Sequence, residues 1–374
     1  MSMHKYRTVV ETLKAEILSG KHPVSKSFPS VRSLIRRFGV SDTTVLHALD
    51  DLTAQGYVSR RQGRGTFVTK DGSSRKIGMI ISGLAEYSEF FQPIATALIR
   101  VAQTKGYELI FGDVLSRELE ARIREARELA AKFIRQRVAG VVYHPLEYVA
   151  DSGATNRNIL NVFDRAKIPV VLLDSDIVPL PGRSKYDLVS IDNEYSGERL
   201  ARHLMERGAK DIHFLMRPNW VPNVQSRARG VMRAKMDMGG SRQFNDILIS
   251  EPDDLNTIRK YLKRHPAADA FICQNDTIAA VFKQTLESLG RNVPNDILLA
   301  GFDDVKVACL TSPSLTTIHQ PCERIAEVVF SRLRGRIARP DDETLTIYVE
   351  APLIVRDSTT KLSKLRKGKS KCGR

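Results

Sequence analysis

Residues 28–68 read FPSVRSLIRRFGVSDTTVLHALDDLTAQGYVSRRQGRGTFV. Leu34, Ile35 and Phe38 recur at the spacing of one helix face, Arg32, Arg36 and Arg37 fall on the other, and Gly39 ends the segment. Ser41 is a natural N-cap for a further helix with Val45, Leu49 and Leu52 inward, closed by Gly56. Tyr57-Val58 and Thr66-Phe67-Val68 are β-type runs around a Gly-rich basic tip, Arg60 to Gly65, which predicts a hairpin. Upstream, Val9, Leu13 and Ile17 mark another helix, which Gly20 stops. Three helices followed by a basic hairpin predict an α+β winged helix-turn-helix domain over residues 1–69. In that arrangement the third helix enters the major groove by its N-terminal residues. The hairpin lies along the backbone or in a minor groove, where glycines permit close approach and Arg64 meets negative potential. The competing reading is a three-helix protein-interaction domain whose arginines are only solvated.

Charge separates these readings. The chain of 374 residues carries +15 overall, unevenly. Residues 1–76 hold 14 Lys/Arg against 6 Asp/Glu, and residues 356–374 hold 8 against 1, while the middle is balanced. A neutral body with a basic N-terminal block points to a polyanion contact there. Residues 357–374, ending TKLSKLRKGKSKCGR, lack periodicity and apolar weight and read as a basic disordered tail. The N-terminus has no signal-peptide core, and no apolar run is long enough to span a membrane, so a cytoplasmic, nucleoid-associated location is expected. Cys273, Cys309, Cys322 and Cys372 lack metal-ligand or C-x-x-C spacing and read as reduced thiols.

After a polar linker, residues 70–76, short apolar runs alternate with helical stretches. Runs such as Gly140–Tyr143, Val170–Leu173, Ile212–Met216 and Ala270–Cys273 are apolar almost throughout, as strands buried on both faces are. The pattern breaks near Asp192 and resumes. It predicts an α/β two-lobed body over 77–356 made of two doubly wound parallel sheets. Lobe 1 takes about 77–190 and 320–351, lobe 2 about 191–319 and 352–356. Three chain crossings are expected, near Val189–Ile191, Ile318–Gln320 and Ala351–Leu353. Ligands of such sheets bind at the carboxyl ends of strands. Asp174, Asn275-Asp276 and Asp303-Asp304 fall there. Their carboxylates and amide suit adjacent hydroxyls of a polyol, although Asp276 before Thr277 reads first as a helix cap.

Residues 5–69 resemble the DNA-binding domain of the GntR family of bacterial regulators, on the text quoted above. The resemblance implies a DNA contact from Arg32 in the Pro-Ser-x-Arg stretch that includes Ser30. It implies others from Ser41, Thr43 and Thr44 at the mouth of the recognition helix, and from the wing tip Gly63-Arg64-Gly65; Arg60 joins them as part of the basic hairpin tip. Two departures stand out: Asp42 and Leu46 occupy positions where the family commonly has guanine-reading arginines. Asp42 suits the helix dipole, or can accept from a cytosine amino group.

The segments DLVSIDNEYSGERLARHLMERGAKDIHFL, SRARGVM, ADAFICQNDTIAA, VPNDILLAGFDD and SPSLTTIHQP resemble, in order and spacing, the effector domain of the LacI/GalR family. That domain is similar to periplasmic sugar-binding proteins, and the whole arrangement is arabinose-repressor-like. The resemblance implies ligand contacts from Arg227, Asn275 and Asp303 of one lobe, from Asp174 and His144 of the other, and from Phe91 at the cleft entrance. Trp220 can stack on a sugar ring or pack at the rim.

Together these features imply a transcriptional repressor that binds a palindromic double-stranded operator as a homodimer. A mono- or oligosaccharide, or a derivative of one, would close the cleft and release DNA. No cofactor, metal or membrane partner is expected, and no catalysis. G-x-S-x-G, P-loop and G-x-G-x-x-G motifs are missing. The rival classes are a carbohydrate-active enzyme built on Asp174, Asp303 and Asp304, and a solute receptor without a DNA role.

Overall fold

A computed structural model describes residues 2–18, 21–22, 28–61, 65–68, 76–82, 91–114, 118–147, 152–179, 181–218, 221–237 and 246–360. Two compact units emerge, one holding Met1–Lys76 and the other most of the chain from Ile77 onward.

The N-terminal unit contains α1 (Ser2–Leu18), α2 (Val31–Phe38), α3 (Asp42–Ala54), β1 (Val58–Arg61) and β2 (Gly65–Val68). Val9, Leu13 and Ile17 of α1, Leu34 of α2, and Val45, Leu49 and Leu52 of α3 close one core with Tyr57, Val58 and Val68. β1 and β2 pair antiparallel, Val58 opposite Val68 and Arg61 opposite Gly65. This is a winged helix-turn-helix. Gly39 ends α2 in the left-handed conformation, where a side chain would be strained. Glu16 of α1 is bound by Arg37 of α2, by Lys21 and by His22, and the Arg37 guanidinium holds its carboxyl well below the usual carboxylate range.

The large unit begins with β3 (Lys76–Ser82), α4 (Phe91–Thr104), β4 (Glu108–Val114), α5 (Leu119–Arg135), β5 (Gly140–Tyr143), α6 (Ser152–Arg165), β6 (Val170–Leu173) and β7 (Asp187–Ile191). The chain then forms α7 (Asn193–Glu206), β8 (Ile212–Met216), α8 (Pro222–Asp237), β9 (Ile247–Ile249), α9 (Leu255–Arg264), β10 (Ala270–Cys273), α10 (Asp276–Ser288), β11 (Leu298–Asp303), α11 (Lys306–Leu310) and β12 (Thr316–His319). It ends with α12 (Cys322–Ala338), β13 (Thr346–Val349), β14 (Leu353–Ile354) and a 3-10 turn at Asp357–Thr359.

Among the described residues the strands of this unit form two six-stranded sheets. One runs β13-β7-β6-β5-β3-β4 and the other β14-β12-β11-β10-β8-β9. β14 joins its sheet antiparallel to β12, so the second sheet is not purely parallel. The chain passes between sheets after β7, after β12 and between β13 and β14. Strand order reverses between β3 and β5 in the first sheet and between β8 and β10 in the second. These are the switch points at which a cleft opens.

Asp187 at the start of β7 ties α12 to the first sheet. Its carboxylate is fully buried and accepts from Arg336 Nε at 3.0 Å, from Arg332 Nη2 at 2.9 Å and from the Leu345 N–H at 2.8 Å. Burial pulls this carboxyl upward, but the two guanidiniums and the amide outweigh it and hold it below its ordinary value. Asp187→Ala leaves two mostly buried arginines without their counter-charge and is expected to cost about 3–5 kcal/mol. At roughly 2–4 °C per kcal/mol the melting temperature falls on the order of 10 °C. A thermal scan showing a change below about 3 °C would refute this account of the triad.

The second lobe runs past residue 356, where the basic tail was expected to begin. Ser358 and Thr359 are buried, Ser358 Oγ donates to the Leu299 carbonyl at 2.6 Å, and Thr316 N donates to Ser358 Oγ at 2.8 Å. His203 and Thr316 both meet the Thr359 hydroxyl. Residues 357–360 thus belong to the second lobe, because their small hydroxyl side chains fill a polar slot beside β11 and β12. The remaining tail residues, 361–374, lie outside the described residues. No helix among the described residues is long and apolar enough to cross a membrane.

Candidate ligand cleft and nucleic-acid interface

Arg227 on α8 is the centre of the polar cluster between the sheets. It is buried, and all three of its guanidinium nitrogens are used. Nε donates to Asn193 Oδ1 at 2.8 Å, Nη1 to the Gln274 carbonyl at 2.6 Å, and Nη2 to Asp303 Oδ1 at 3.3 Å. Its guanidinium lies 4.4 Å from the centre of the Phe302 ring. Asp303, at the end of β11, also accepts from Gln320 Nε2 at 3.2 Å. It is held at φ 96°, a left-handed conformation that aims the carboxylate at Arg227 and is costly for a side chain.

The cluster continues across the hinge. Asn193 Nδ2 donates to Ser190 Oγ at 3.2 Å, and Ser190 Oγ donates to the Asp174 carbonyl at 2.6 Å. Asn223 Nδ2, on α8, donates to Asp174 Oδ2 at 2.6 Å. Asp174 follows β6 with φ 68°, and its carboxyl is pushed up to about 6 by burial, against the opposing pull of His144 and Arg227. His144 follows β5, fully buried, with the Phe91 ring edge-on at 4.3 Å. A cavity of about 610 Å³ borders Asp174, Asn193 and Asn223 and is lined further by Asp176, Tyr195 and Tyr348. Arg227, Asn275 and Asp303 do not line it.

The residues singled out from sequence therefore divide. Asp174, His144 and Phe91 gather at one sheet, Arg227 and Asp303 at the other. Asn275 serves as the N-cap of α10, its Oδ1 accepting from Ile278 N at 2.9 Å. The cap expected from Asp276 is thus made one residue earlier. Asp276 itself is fully buried, with Oδ2 accepting from Val305 N at 3.2 Å, and burial raises its carboxyl well above the ordinary range. Trp220 lies outside the described residues. Sequence reasoning passed over Ser190, Asn193, Asn223 and Gln320 as cleft residues. Asn193 and Gln320 sit inside the family-like segments SIDN and TIHQP, and that position was the available signal.

In the N-terminal unit, Ser41 Oγ caps α3 by accepting from Thr44 N at 3.3 Å and lies 2.8 Å from Thr44 Oγ1. Asp42 Oδ1 accepts from Thr43 N at 2.7 Å and from the Thr43 hydroxyl at 3.2 Å. The carboxylate satisfies an orphan N–H of the first turn and sits at the positive end of the helix dipole. Ser30 caps α2 through Ser33 N at 3.2 Å. Arg32 and Arg36 are exposed and make no ion pair among the described residues, whereas Arg60 Nη1 meets Asp50 Oδ1 at 2.8 Å on the surface. Gly65 opens β2 at φ 99°, which favours glycine. Gly63 and Arg64 lie outside the described residues.

Comparison with known proteins agrees with both units. Residues 5–68 match the family model of bacterial regulatory proteins, gntR family. Residues 201–359 match the periplasmic binding protein-like domain. The chain is 25% identical to the arabinose metabolism transcriptional repressor of Geobacillus stearothermophilus, over 96% of this chain and 99% of that protein. It is 26% identical to the HTH-type transcriptional repressor PurR of Mannheimia succiniciproducens, over 89% of this chain and 99% of that one. Among solved structures, a complex of the transcriptional regulator CelR with cellobiose aligns with a TM-score of 0.66 at 22% identity, covering 85% of this chain and 91% of that chain. The chain thus joins a gntR-family helix-turn-helix DNA-binding domain to a periplasmic binding protein-like domain, the build of a transcriptional regulator.

Proposed function

We propose that this regulator is a repressor acting in the cytoplasm, without catalysis, as a homodimer on a palindromic operator, and that a sugar or sugar derivative in the interlobe cleft releases it. The relatives' names support repression, and the cellobiose and arabinose in those names support a carbohydrate effector for this chain. One observation carries the mechanism: a continuous hydrogen-bonded path from Asp174 through Ser190, Asn193 and Arg227 to Asp303, which crosses the hinge. Side chains that already bond across a hinge change partners when the lobes move. A ligand that replaces some of those bonds therefore binds open and closed states with different affinity. The proposed ligand contacts are Phe91, His144, Asp174, Trp220, Arg227, Asn275 and Asp303. The proposed DNA contacts are Ser30, Arg32, Ser41, Asp42, Thr43, Thr44, Arg60, Gly63, Arg64 and Gly65.

The test is operator binding at several salt concentrations, with and without pentoses, hexoses and disaccharides. Steep salt dependence together with release by one sugar supports the reading; binding that no sugar alters, but a purine does, sinks the effector class. A mutation tests the helix mouth. Asp42→Arg is expected to tighten DNA binding several-fold, to steepen the log–log salt slope by about one, and to shift base preference. A binding-site profile and affinity identical to the parent would show that Asp42 faces no DNA.

A further inference from the structure

Three donor groups converge at the carboxyl ends of β5 and β6. His144 Nε2 lies 3.4 Å from Glu147 Oε1 and 4.0 Å from Asp174 Oδ2. One donor atom from each residue falls within 4.8 Å of the other two. The His144 side chain is fully buried, and neither ring nitrogen has a hydrogen-bond partner among the described residues. An imidazole carries at least one N–H and one further lone pair or N–H, so two unmatched nitrogens in the interior are costly. Two carboxylates beside them add negative charge; Arg227 acts on Asp174 only from beyond ion-pair distance, and among the described residues no Lys or Arg forms an ion pair with Glu147 or Asp174.

A second cluster shows the contrast. His213, Asp246 and His265 also bring donor atoms within 4.8 Å of one another. There Lys235 Nζ stands 2.5 Å from Asp246 Oδ2 and 3.7 Å from Asp211 Oδ1, and the Tyr261 hydroxyl lies 2.8 Å from His213 Nδ1. That cluster holds its own cation. The His144 cluster has the same donor types and no such lysine.

We propose that His144, Glu147 and Asp174 form a divalent metal site, with Zn²⁺ the ion that fits. One imidazole nitrogen and two carboxylate oxygens are a normal zinc donor set, with bonds of about 2.0–2.2 Å. Tetrahedral placement at those lengths sets donors about 3.4 Å apart, the separation His144 and Glu147 already have. Asp174, 4.0 Å from His144 and within 4.8 Å of Glu147, would close on both by a side-chain adjustment on the order of 1 Å or less. Asn223, bonded to Asp174 Oδ2, orients that carboxylate as an outer partner does at metal sites. Three protein ligands leave a fourth position for water or for a hydroxyl of a bound polyol. A polyol hydroxyl in that fourth position rests on the effector reading above; the metal site itself does not.

The experiment is calorimetric titration of the full chain with ZnCl₂, for the parent and for His144→Gln, Glu147→Gln, His265→Gln and Cys309→Ser. Glu147 is partly exposed, so Glu147→Gln carries the test should His144→Gln fail to fold. The expected result is one Zn²⁺ per chain, at least tenfold weaker in His144→Gln and Glu147→Gln and unchanged in the other two. No saturable binding overturns the proposal. So does binding that survives Glu147→Gln but is lost in His265→Gln or Cys309→Ser. A chain that binds Zn²⁺ through these residues yet releases DNA with no sugar would sink the effector reading and leave the metal site standing. A sugar response in a chain that binds no Zn²⁺ would do the reverse.

Discussion

Arg227→Met is expected to abolish ligand control of DNA binding and to cost about 3–5 kcal/mol of stability, because it breaks a buried ion pair from one side. Arg227 is 4% exposed and supplies bonds to three groups in three separate segments: Asn193 on α7, the Gln274 carbonyl after β10, and Asp303 on β11. Methionine fills much of the volume but donates nothing, so the Asn193 amide oxygen and the Gln274 carbonyl each lose a donor, and the Asp303 carboxylate loses its counter-charge while keeping the bond from Gln320. Arg227→Lys is expected to recover little, since one ammonium cannot reproduce a planar fork that reaches three acceptors. The checks are a thermal scan and operator binding with and without the active sugar. A normal sugar response at an unchanged melting temperature would remove Arg227 from the centre of the mechanism.

Gly230→Ala has an effect of similar size for a different reason. α7 and α8 cross backbone to backbone at Gly197 and Gly230. A Cβ at Gly230 would sit 1.8 Å from the Glu194 carbonyl oxygen and 2.7 Å from the Glu198 nitrogen. A Cβ at Gly197 would sit 2.1 Å from the carbonyl oxygen of Arg227 itself. The obstructing atoms are main chain and cannot rotate away, so the helices must separate. The cost is expected at or above the usual overpacking range of about 1–3 kcal/mol, and the separation pulls Arg227 from Asn193. The melting temperature is expected to fall by more than about 5 °C at 2–4 °C per kcal/mol, with a weakened sugar response. The double variant Gly197→Ala/Gly230→Ala is expected to cost less than the two singles combined, because one displacement relieves both clashes. Full additivity would mean that the helices do not move as a pair.

Much of the fold is legible from local pattern. The buried runs Gly140–Tyr143, Val170–Leu173, Ile212–Met216 and Ala270–Cys273 are strands with those bounds, since a strand covered on both faces must be apolar at every position. Other elements were less visible. β7, Asp187–Ile191, overlaps a stretch expected as a chain crossing, because five residues with a polar start read equally as strand or connector. α12 carries a regular inward face of Ile325, Ala326, Val329, Phe330 and Leu333, yet it follows a stretch also read as a crossing and was not anticipated. Asn275 shows the limit at the site. Its place after β10 marks both a ligand position and a helix N-cap, and only the observed bond to Ile278 shows that the cap uses its oxygen.

The sequence by itself determined the element types, the winged helix-turn-helix and the parallel α/β body, because periodicity, caps and glycine stops act between residues a few positions apart. Tertiary structure alone decided which side chains bond to which. Arg227 reaches Asn193 across 34 positions and Asp303 across 76. Asp187 meets Arg336 across 149, and Ser358 reaches back 59 to Leu299. Those pairings depend on how two sheets and two tightly crossed helices bring distant segments within about 3 Å, and no local pattern records that distance.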